Sequence, residues 1–445
     1  MKKNMDSFAI YPLVVLEGQR TTVTVVSKMS CDGTESGIDY WGKQRSGGPF
    51  TTKKQYSVKV TPREIHYPET KAQKEIGYTV ENGSLVFEYT FYGEQEYMVF
   101  IDEVVEGVNT RLTFFKLYSV KEDLYRLLPW KGELHMHSNW SDGKQPPEIM
   151  YSYARRAGME FATLTDHYSL QPHPTILEKM SAIDSGLIIY PGEEVHKLGH
   201  KMHIVSIGAS KCISRMLMDD YDNIKEEALK IAEKHTDLPE DVDPLEFGMQ
   251  RWVFEQIKKL GGLSVLAHPY WPHEGNATYI PASLSRLIIE EGYSDAWEIT
   301  GVDDGDKDFM QNVLYTEECE KGFRMPVVGA TDAHDKSGLG DGYTIVFAED
   351  ANISSVTAAI KNHLSVGCRQ YKRADGSMRY MAFGPTRLVR YAMFLMSEFY
   401  PLQDRLCFIE GELMNQVFSG QQWAAPLIGE VARHIRQEKR LCFGR

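Results

Sequence analysis

Two histidines one residue apart, His135 and His137, constrain this chain more than any other feature. They lie in the stretch Leu134-His135-Met136-His137, which predicts a short β-strand. Residues i and i+2 of a strand project to the same side, so both imidazoles can face one point in space, as a metal ion requires. Asp142 follows in the polar turn Ser141-Asp142-Gly143, close enough in sequence to reach that point from a loop. On its own an H-x-H pair is weak, because two histidines alternating with an apolar residue on an ordinary strand satisfy the same pattern. Its weight comes from what recurs downstream.

The 445 residues exceed one ordinary domain and divide by pattern into three regions. Residues 1–128 carry short Val-, Thr-, Phe- and Tyr-rich runs such as Arg20–Ser27 and Gln55–Pro62, which predict an N-terminal antiparallel β-sandwich. Phe91–Gln95 reads as a hairpin connection, and the aromatic residues read as core in preference to a carbohydrate or peptide groove. After Pro129 strand-like runs alternate with helical ones, the signature of a parallel sheet or barrel, over 129–375. A helical insertion at about 211–260, interrupted by an acidic, proline-containing segment, would be either a lid or a scaffold pair. Residues 376–445 form a helical C-terminal extension, whose Leu, Met and Phe residues pack on a neighbouring domain or make a homo-oligomer contact.

Further candidate ligands stand where the predicted strands end. His167 closes Phe161–His167, Glu193 and Glu194 follow Pro191-Gly192, and His203 opens His203–Gly208. His268 ends Leu263–His268, and Asp332 and His334 end Val327–His334, repeating the i, i+2 spacing of the first pair. In a parallel barrel the strand C-termini form the face that carries chemistry. Buried carboxylates and imidazoles are costly without partners, so a set gathered at one end of successive strands points to a shared ligand.

The order of these motifs resembles the polymerase-and-histidinol-phosphatase (PHP) metallohydrolases. The residues that carry the resemblance are His135-Met136-His137, Ser141-Asp142-Gly143, Thr165-Asp166-His167, Pro191-Gly192-Glu193-Glu194, His203, Ala267-His268-Pro269 and Asp332-Ala333-His334, between about Lys131 and Gly367. The resemblance implies a distorted (β/α)7 TIM-like barrel holding two or three divalent metals (Zn, Mn or Fe) at the strand C-termini. One metal would take His135, His137, Glu194 and Asp332. A second would share Glu194 and add His203 and His268, and a third would use Asp142, His167 and His334. Glu194 is chosen over Glu193 by the P-G-x-E spacing, and His203 over His196 and His200 because it leads into a strand. Asp166, opposite in parity to His167, is expected to support the site without binding metal.

Nitrogen and oxygen ligands without thiolates suit Zn, Mn or Fe. Three carboxylates and six neutral histidines sum to -3, which three dications would convert to +3. The expected function is therefore a metal-dependent phosphoesterase acting on a small phosphorylated metabolite or nucleotide. In that scheme a hydroxide bridging the Glu194-linked pair, with Glu194, His203 and His268 at the reacting centre, attacks phosphorus in line. The alternatives are hydrolysis of carboxylic or carbamate esters, as in some PHP relatives, and a non-catalytic, metal-holding regulatory protein. Trp140, Tyr168, Tyr270, Trp271 and His273 are candidates either for stacking on a ring or for packing in the wall, Lys336 for a phosphate contact or a solvated loop, and Arg251 for the site only if the insertion closes over it.

The net charge of -13 argues against general electrostatic binding to nucleic acid or to an anionic membrane, while leaving room for a local positive site. No apolar run reaches the roughly 20 residues of a membrane span, and the N-terminal stretch, broken by Asp6, Ser7 and Pro12, does not read as a signal peptide. Six scattered cysteines without a C-x-x-C pair read as reduced thiols of a cytoplasmic protein.

Overall fold

The structure, a computed structural model, describes residues 7–28, 48–64, 74–197, 199–270, 280–301 and 305–445. It divides into two compact units. The first comprises Met1–Leu128 with Ser397–Phe399 and Arg436–Arg445, and the second Pro129–Met396 with Tyr400–Ile435.

The first unit contains strands β1 (Phe8–Tyr11), β2 (Val14–Leu16), β3 (Arg20–Ser27), β4 (Gln55–Pro62), β5 (Lys74–Ile76), β6 (Tyr78–Glu81), β7 (Ser84–Thr90), β8 (Gln95–Val105) and β9 (Val108–Val120). They form two sheets, ordered β1-β3-β7-β6 and β2-β9-β8-β4-β5. All pairings are antiparallel except that of β2 with β9, where Val14 lies opposite Tyr118 in a parallel bridge. The 91–95 segment is not a hairpin connection. β7 and β8 belong to different sheets, so the chain changes sheet there, and β8 pairs instead with β9 and β4. A local turn signal reads the same whichever strand the chain joins next. The aromatic residues are core: Tyr89 of β7 and Tyr97 of β8 meet edge-on with Phe91 between them, and all three are buried.

The second unit contains β10 (Leu128–Glu133), β11 (Phe161–Thr163), β12 (Ile188–Tyr190), β13 (Gly192–Val195), β14 (Ile204–Ile207), β15 (Leu263–Leu266), β16 (Ala296–Thr300), β17 (Val327–Gly329), β18 (Gly342–Ala348), β19 (Ser365–Lys372) and β20 (Met378–Phe383). One sheet runs β12-β11-β10-β18-β19-β20 and the other β13-β14-β15-β16-β17. Parallel pairing holds for β10-β11-β12 and β15-β16-β17, but β14 runs antiparallel to both β13 and β15. A four-residue apolar run carries no sign of its direction, so the sequence pattern could not show this reversal. β20, paired with β19, falls in the stretch expected to be helical, and helices follow it at Thr386–Glu398, Tyr400–Phe418 and Ala425–Phe443.

Strand parity sorts the side chains of the second unit onto two faces. Val205, Val265, Ala296 and Val328 enter one core with Leu134, Phe161 and Tyr190, so strands of both sheets share it. Their neighbours Ile204, Leu266, Trp297 and Val327 enter another with Phe247, Trp252 and Phe254 of helix Pro244–Lys259 and Leu284 and Ile288 of helix Ala282–Glu290. Gly342 allows β18 to approach the end of β17, since a Cβ there would collide with the Ala330 carbonyl oxygen.

Candidate metal centre

The backbone brings the first and last motifs side by side. β10 ends at Glu133, and Met136 then forms an isolated parallel bridge with Ala333. Asp332 N donates to His135 O and His137 N to Ala333 O, both at 2.9 Å. In this register the outer residues of each triplet, His135 and His137 on one strand end and Asp332 and His334 on the other, share a side. Two further rungs extend the row: Thr165 N donates to Met136 O at 2.9 Å and Glu194 N to Thr165 O at 2.8 Å.

Four ligand atoms converge at the centre of this row. His135 Nε2 lies 3.1 Å from Glu194 Oε2 and 3.2 Å from Asp332 Oδ1. For His137 Nε2 the distances are 3.2 and 3.1 Å. Glu194 turns its other oxygen to a second group, with Oε1 2.7 Å from His203 Nδ1 and 3.3 Å from His268 Nε2. These five partners and Glu194 itself are buried or nearly so. His268 and Asp332 have φ of 25° and 51°, a backbone region that non-glycine residues rarely occupy and that clusters at functional sites.

A third group gathers on the open side. His137, Asp142 and His167 each place one ligand atom within 4.8 Å of the others. His334 Nε2 comes to 3.3 Å from Asp142 Oδ2, and its ring stacks on His137 at 4.3 Å. His334 thus meets this group through Asp142, while the buried His137 touches both the first and third groups. The side chains of Asp142 and His334 are 52% and 40% exposed, which marks the face through which solvent reaches the cluster.

Buried acids hold the ligands. Glu298, on β16, places Oε2 2.8 Å from His135 Nδ1 and accepts the His268 backbone N–H on Oε1 at 3.2 Å. With a metal bound, an Nδ1–H of His135 donating to Glu298 would leave the Nε2 lone pair to the ion beside Glu194 and Asp332. Glu133 accepts the N–H groups of Leu134, His135 and Thr331 and the Thr331 hydroxyl, tying the two ligand-bearing strand ends together. Asp166 accepts from Ser138 N, Ser138 Oγ and Ser141 Oγ at 2.6–2.7 Å, fixing the loop that carries Asp142. Sequence reasoning missed Glu133 and Glu298; the available signal was an acid within or beside an otherwise apolar strand.

Glu193 and Glu194, of opposite strand parity, face opposite ways. Glu193 faces away from the cluster, where its carboxylate accepts the N–H groups of Ile213 and Ser214 and the Cys212 thiol at the start of helix Ile213–Asp219. His200 is buried in hydrogen bonds to Glu246 and Tyr221, while His196 stands beside His203 and His167 with ring separations of 4.9 and 5.2 Å. Trp140 and Tyr168 are exposed beside the third group. Lys336 Nζ lies over the Tyr153 ring and Arg251 pairs with Glu255 and Tyr293. Tyr270 is half-buried, and Trp271 and His273 lie outside the described residues.

The buried imidazoles and carboxylates shift one another strongly. Burial would by itself lower the pKa of His137, but the Asp332 and Glu194 carboxylates outweigh it and push the imidazole up to about 10. At His135 the same contest, against Asp332, Glu298 and Glu194, ends well above the ordinary value. Conversely Glu194, which burial would raise, is held well below the carboxylate range by His135 and His203. The residues also fit a metal sterically. His135 Nε2, His137 Nε2 and Asp332 Oδ1 are buried without hydrogen-bond partners although they stand close together. Ligands about 2.0–2.2 Å from one ion stand roughly 3–3.5 Å from each other, the spacing seen here.

No protein-family model and no curated protein sequence matches this chain. Among solved structures it is similar to a two-domain protein from Bacteroides vulgatus containing a predicted PHP-like metal-dependent phosphoesterase. That match is 18% identical, covers 54% of this chain and 65% of that one, and has a TM-score of 0.36. An amidohydrolase from Chromobacterium violaceum matches at 18% identity over 47% of this chain and 89% of that one, with a TM-score of 0.31. A lesion-specific endonuclease from Pyrococcus furiosus matches at 16% identity over 53% and 56%, also at 0.31.

Proposed function

We propose that this chain is a PHP-type metal-dependent hydrolase whose second unit is a distorted (β/α)7 barrel and whose first unit is a β-sandwich. The observation that carries this reading is the division of Glu194 between two ligand groups, one oxygen to each, a geometry that suits a carboxylate bridging two ions. Strands of both sheets contribute to one core, in keeping with a closed barrel.

Divalent ions held by these residues would supply a lowered pKa of water and neutralisation of substrate charge. The protein's own residues do the rest. Glu298 orients His135, Glu133 locks the strand ends, and Asp166 holds the loop of Asp142. Asp142 and His334, on the exposed face, are the ligands a substrate meets first. The nine-residue donor set becomes net positive when three dications bind, which favours a phosphate ester on a small metabolite or nucleotide over a neutral ester. The free thiols of Cys212, Cys319, Cys368, Cys407 and Cys442 support a reducing, cytoplasmic setting. Among the described residues no helix is long and apolar enough to cross a membrane.

Parallel assays of metal-loaded protein on chromogenic phosphomonoester, phosphodiester and carboxylic-ester substrates test the reading. Phosphoester turnover that is abolished in His268→Ala is expected. Turnover of the carboxylic ester alone would transfer the function to that class, and no turnover of any substrate would favour a metal-holding regulatory role.

A further inference from the structure

The helical insertion makes a specific set of contacts with the segment that delivers His203. Glu194 lies on β13 and His203 immediately precedes β14, so the connection between these paired strands ends at a candidate ligand that faces the Glu194 carboxylate. His200 lies in this loop, 5% exposed, with both ring nitrogens engaged. Its Nδ1 is 2.8 Å from Glu246 Oε1, on helix Pro244–Lys259, and its Nε2 is 2.8 Å from the Tyr221 hydroxyl, at the start of helix Tyr221–Glu233. The other Glu246 oxygen accepts the Lys201 backbone N–H at 2.9 Å. One turn along the same helix face, Gln250 Nε2 donates to the Lys201 carbonyl at 3.0 Å. The insertion therefore grips one ring and both backbone groups of consecutive residues, ending two positions before a ligand.

We propose that Glu246, His200, Tyr221 and Gln250 are positioning residues that fix His203 for the metal shared by Glu194, His203 and His268, and that this is what the insertion is for. The proposal rests on the metal-centre reading above. A neutral His200 satisfies the whole arrangement by donating from Nδ1 to the carboxylate and accepting the tyrosine proton on Nε2. Loss of either partner leaves a buried polar group unsatisfied and lets the loop relax, and an ion site tolerates ligand displacement poorly. Because the first group takes no atom from the loop, its metal should be indifferent.

The test is metal content of the full-length chain, measured by mass spectrometry after Zn²⁺ loading and desalting, with chelator competition for affinity. Glu246→Ala and His200→Ala are expected to lose about one equivalent of Zn²⁺, or to bind one equivalent at least tenfold more weakly, while retaining the rest. His200→Gln, whose amide can serve both partners, is expected to recover most of the loss. Glu227→Ala provides the contrast: Glu227 accepts from Trp252 Nε1 and joins the same two helices without touching the loop, so its metal content should equal that of the wild type. If the alanine variants do not fold, Tyr221→Phe and Gln250→Ala, which each remove one bond, carry the same expectation in weaker form. Wild-type affinity in all loop-contact variants, or an equal loss in Glu227→Ala, overturns the proposal. A wild-type chain that binds no Zn²⁺ would instead sink the metal-centre reading and this one with it.

Discussion

Glu298 Oε2 stands 2.8 Å from His135 Nδ1, and the same carboxylate accepts the backbone N–H of His268. One side chain outside the three groups thereby engages a candidate ligand in each of two of them. Glu298→Gln should keep the fold and lower metal affinity by roughly 10–100-fold. Chelator competition against the wild type measures it, and unchanged affinity would remove Glu298 from the account.

Neighbouring acids with opposite directions should fail in different ways. Glu194→Gln should strip metal from both groups that share it. Glu193→Gln should leave metal content intact and cost about 1–3 kcal/mol of stability, because the buried carboxylate serves two backbone N–H groups at the start of helix Ile213–Asp219. Metal analysis and thermal unfolding, run on both variants, distinguish the two roles; the reverse pattern would exchange them.

Asp142→Asn changes an exposed ligand of the third group. The two groups joined by Glu194 contain no atom of Asp142, so the variant should retain their metals and lose one equivalent at most. Loss of every metal would contradict the division into separate groups.

Arg155 and Glu410 form a fully buried ion pair at 2.7 Å between helix Pro147–Arg156 and helix Tyr400–Phe418, and Glu410 also accepts from Ser185 Oγ and Gly186 N. Glu410→Ala leaves a buried guanidinium uncompensated and should destabilise the protein by about 3–5 kcal/mol. Denaturant unfolding provides the value, and a loss below about 1 kcal/mol would show that the network relaxes.

Asp308 offers a pH test away from the ligands. Burial raises its carboxyl to about 6 despite the opposing Arg369 guanidinium. The folded state then binds a proton more tightly than the unfolded state, so this group's contribution to stability increases as pH falls through about 6 and is complete below the ordinary value of 3.8. The stability difference between wild type and Asp308→Asn, followed by denaturant unfolding from pH 7.5 to 5, should shift in favour of the wild type on acidification. A constant difference would refute the raised value.

Nine metal-ligand candidates were legible because imidazoles and carboxylates are conspicuous at the ends of apolar strands, where burial demands a partner. The structure draws them into three adjoining groups, with His334 attached through Asp142. Their supports were hidden for a physical reason. Glu298 and Glu133 act through backbone N–H groups and an imidazole edge that no spacing rule records, and the orientation of Glu193 against Glu194 depends on a strand phase that composition does not carry. Fold class followed from alternation of strand and helix, but the sheet change after β7 and the reversal of β14 are pairings between distant segments. Local pattern is silent on those.

The bridge between Met136 and Ala333 joins positions nearly two hundred residues apart in the chain. Contacts of such long sequence separation form late, after most of the loop-closure entropy has been met. During synthesis the ribosome must therefore deliver the chain past His334 before Asp332 can stand beside His135. A nascent chain carries the first histidine pair for nearly two hundred residues, joined on the way by Glu194, before Asp332 is made, so the four-residue group is complete only once most of the second unit has been synthesised.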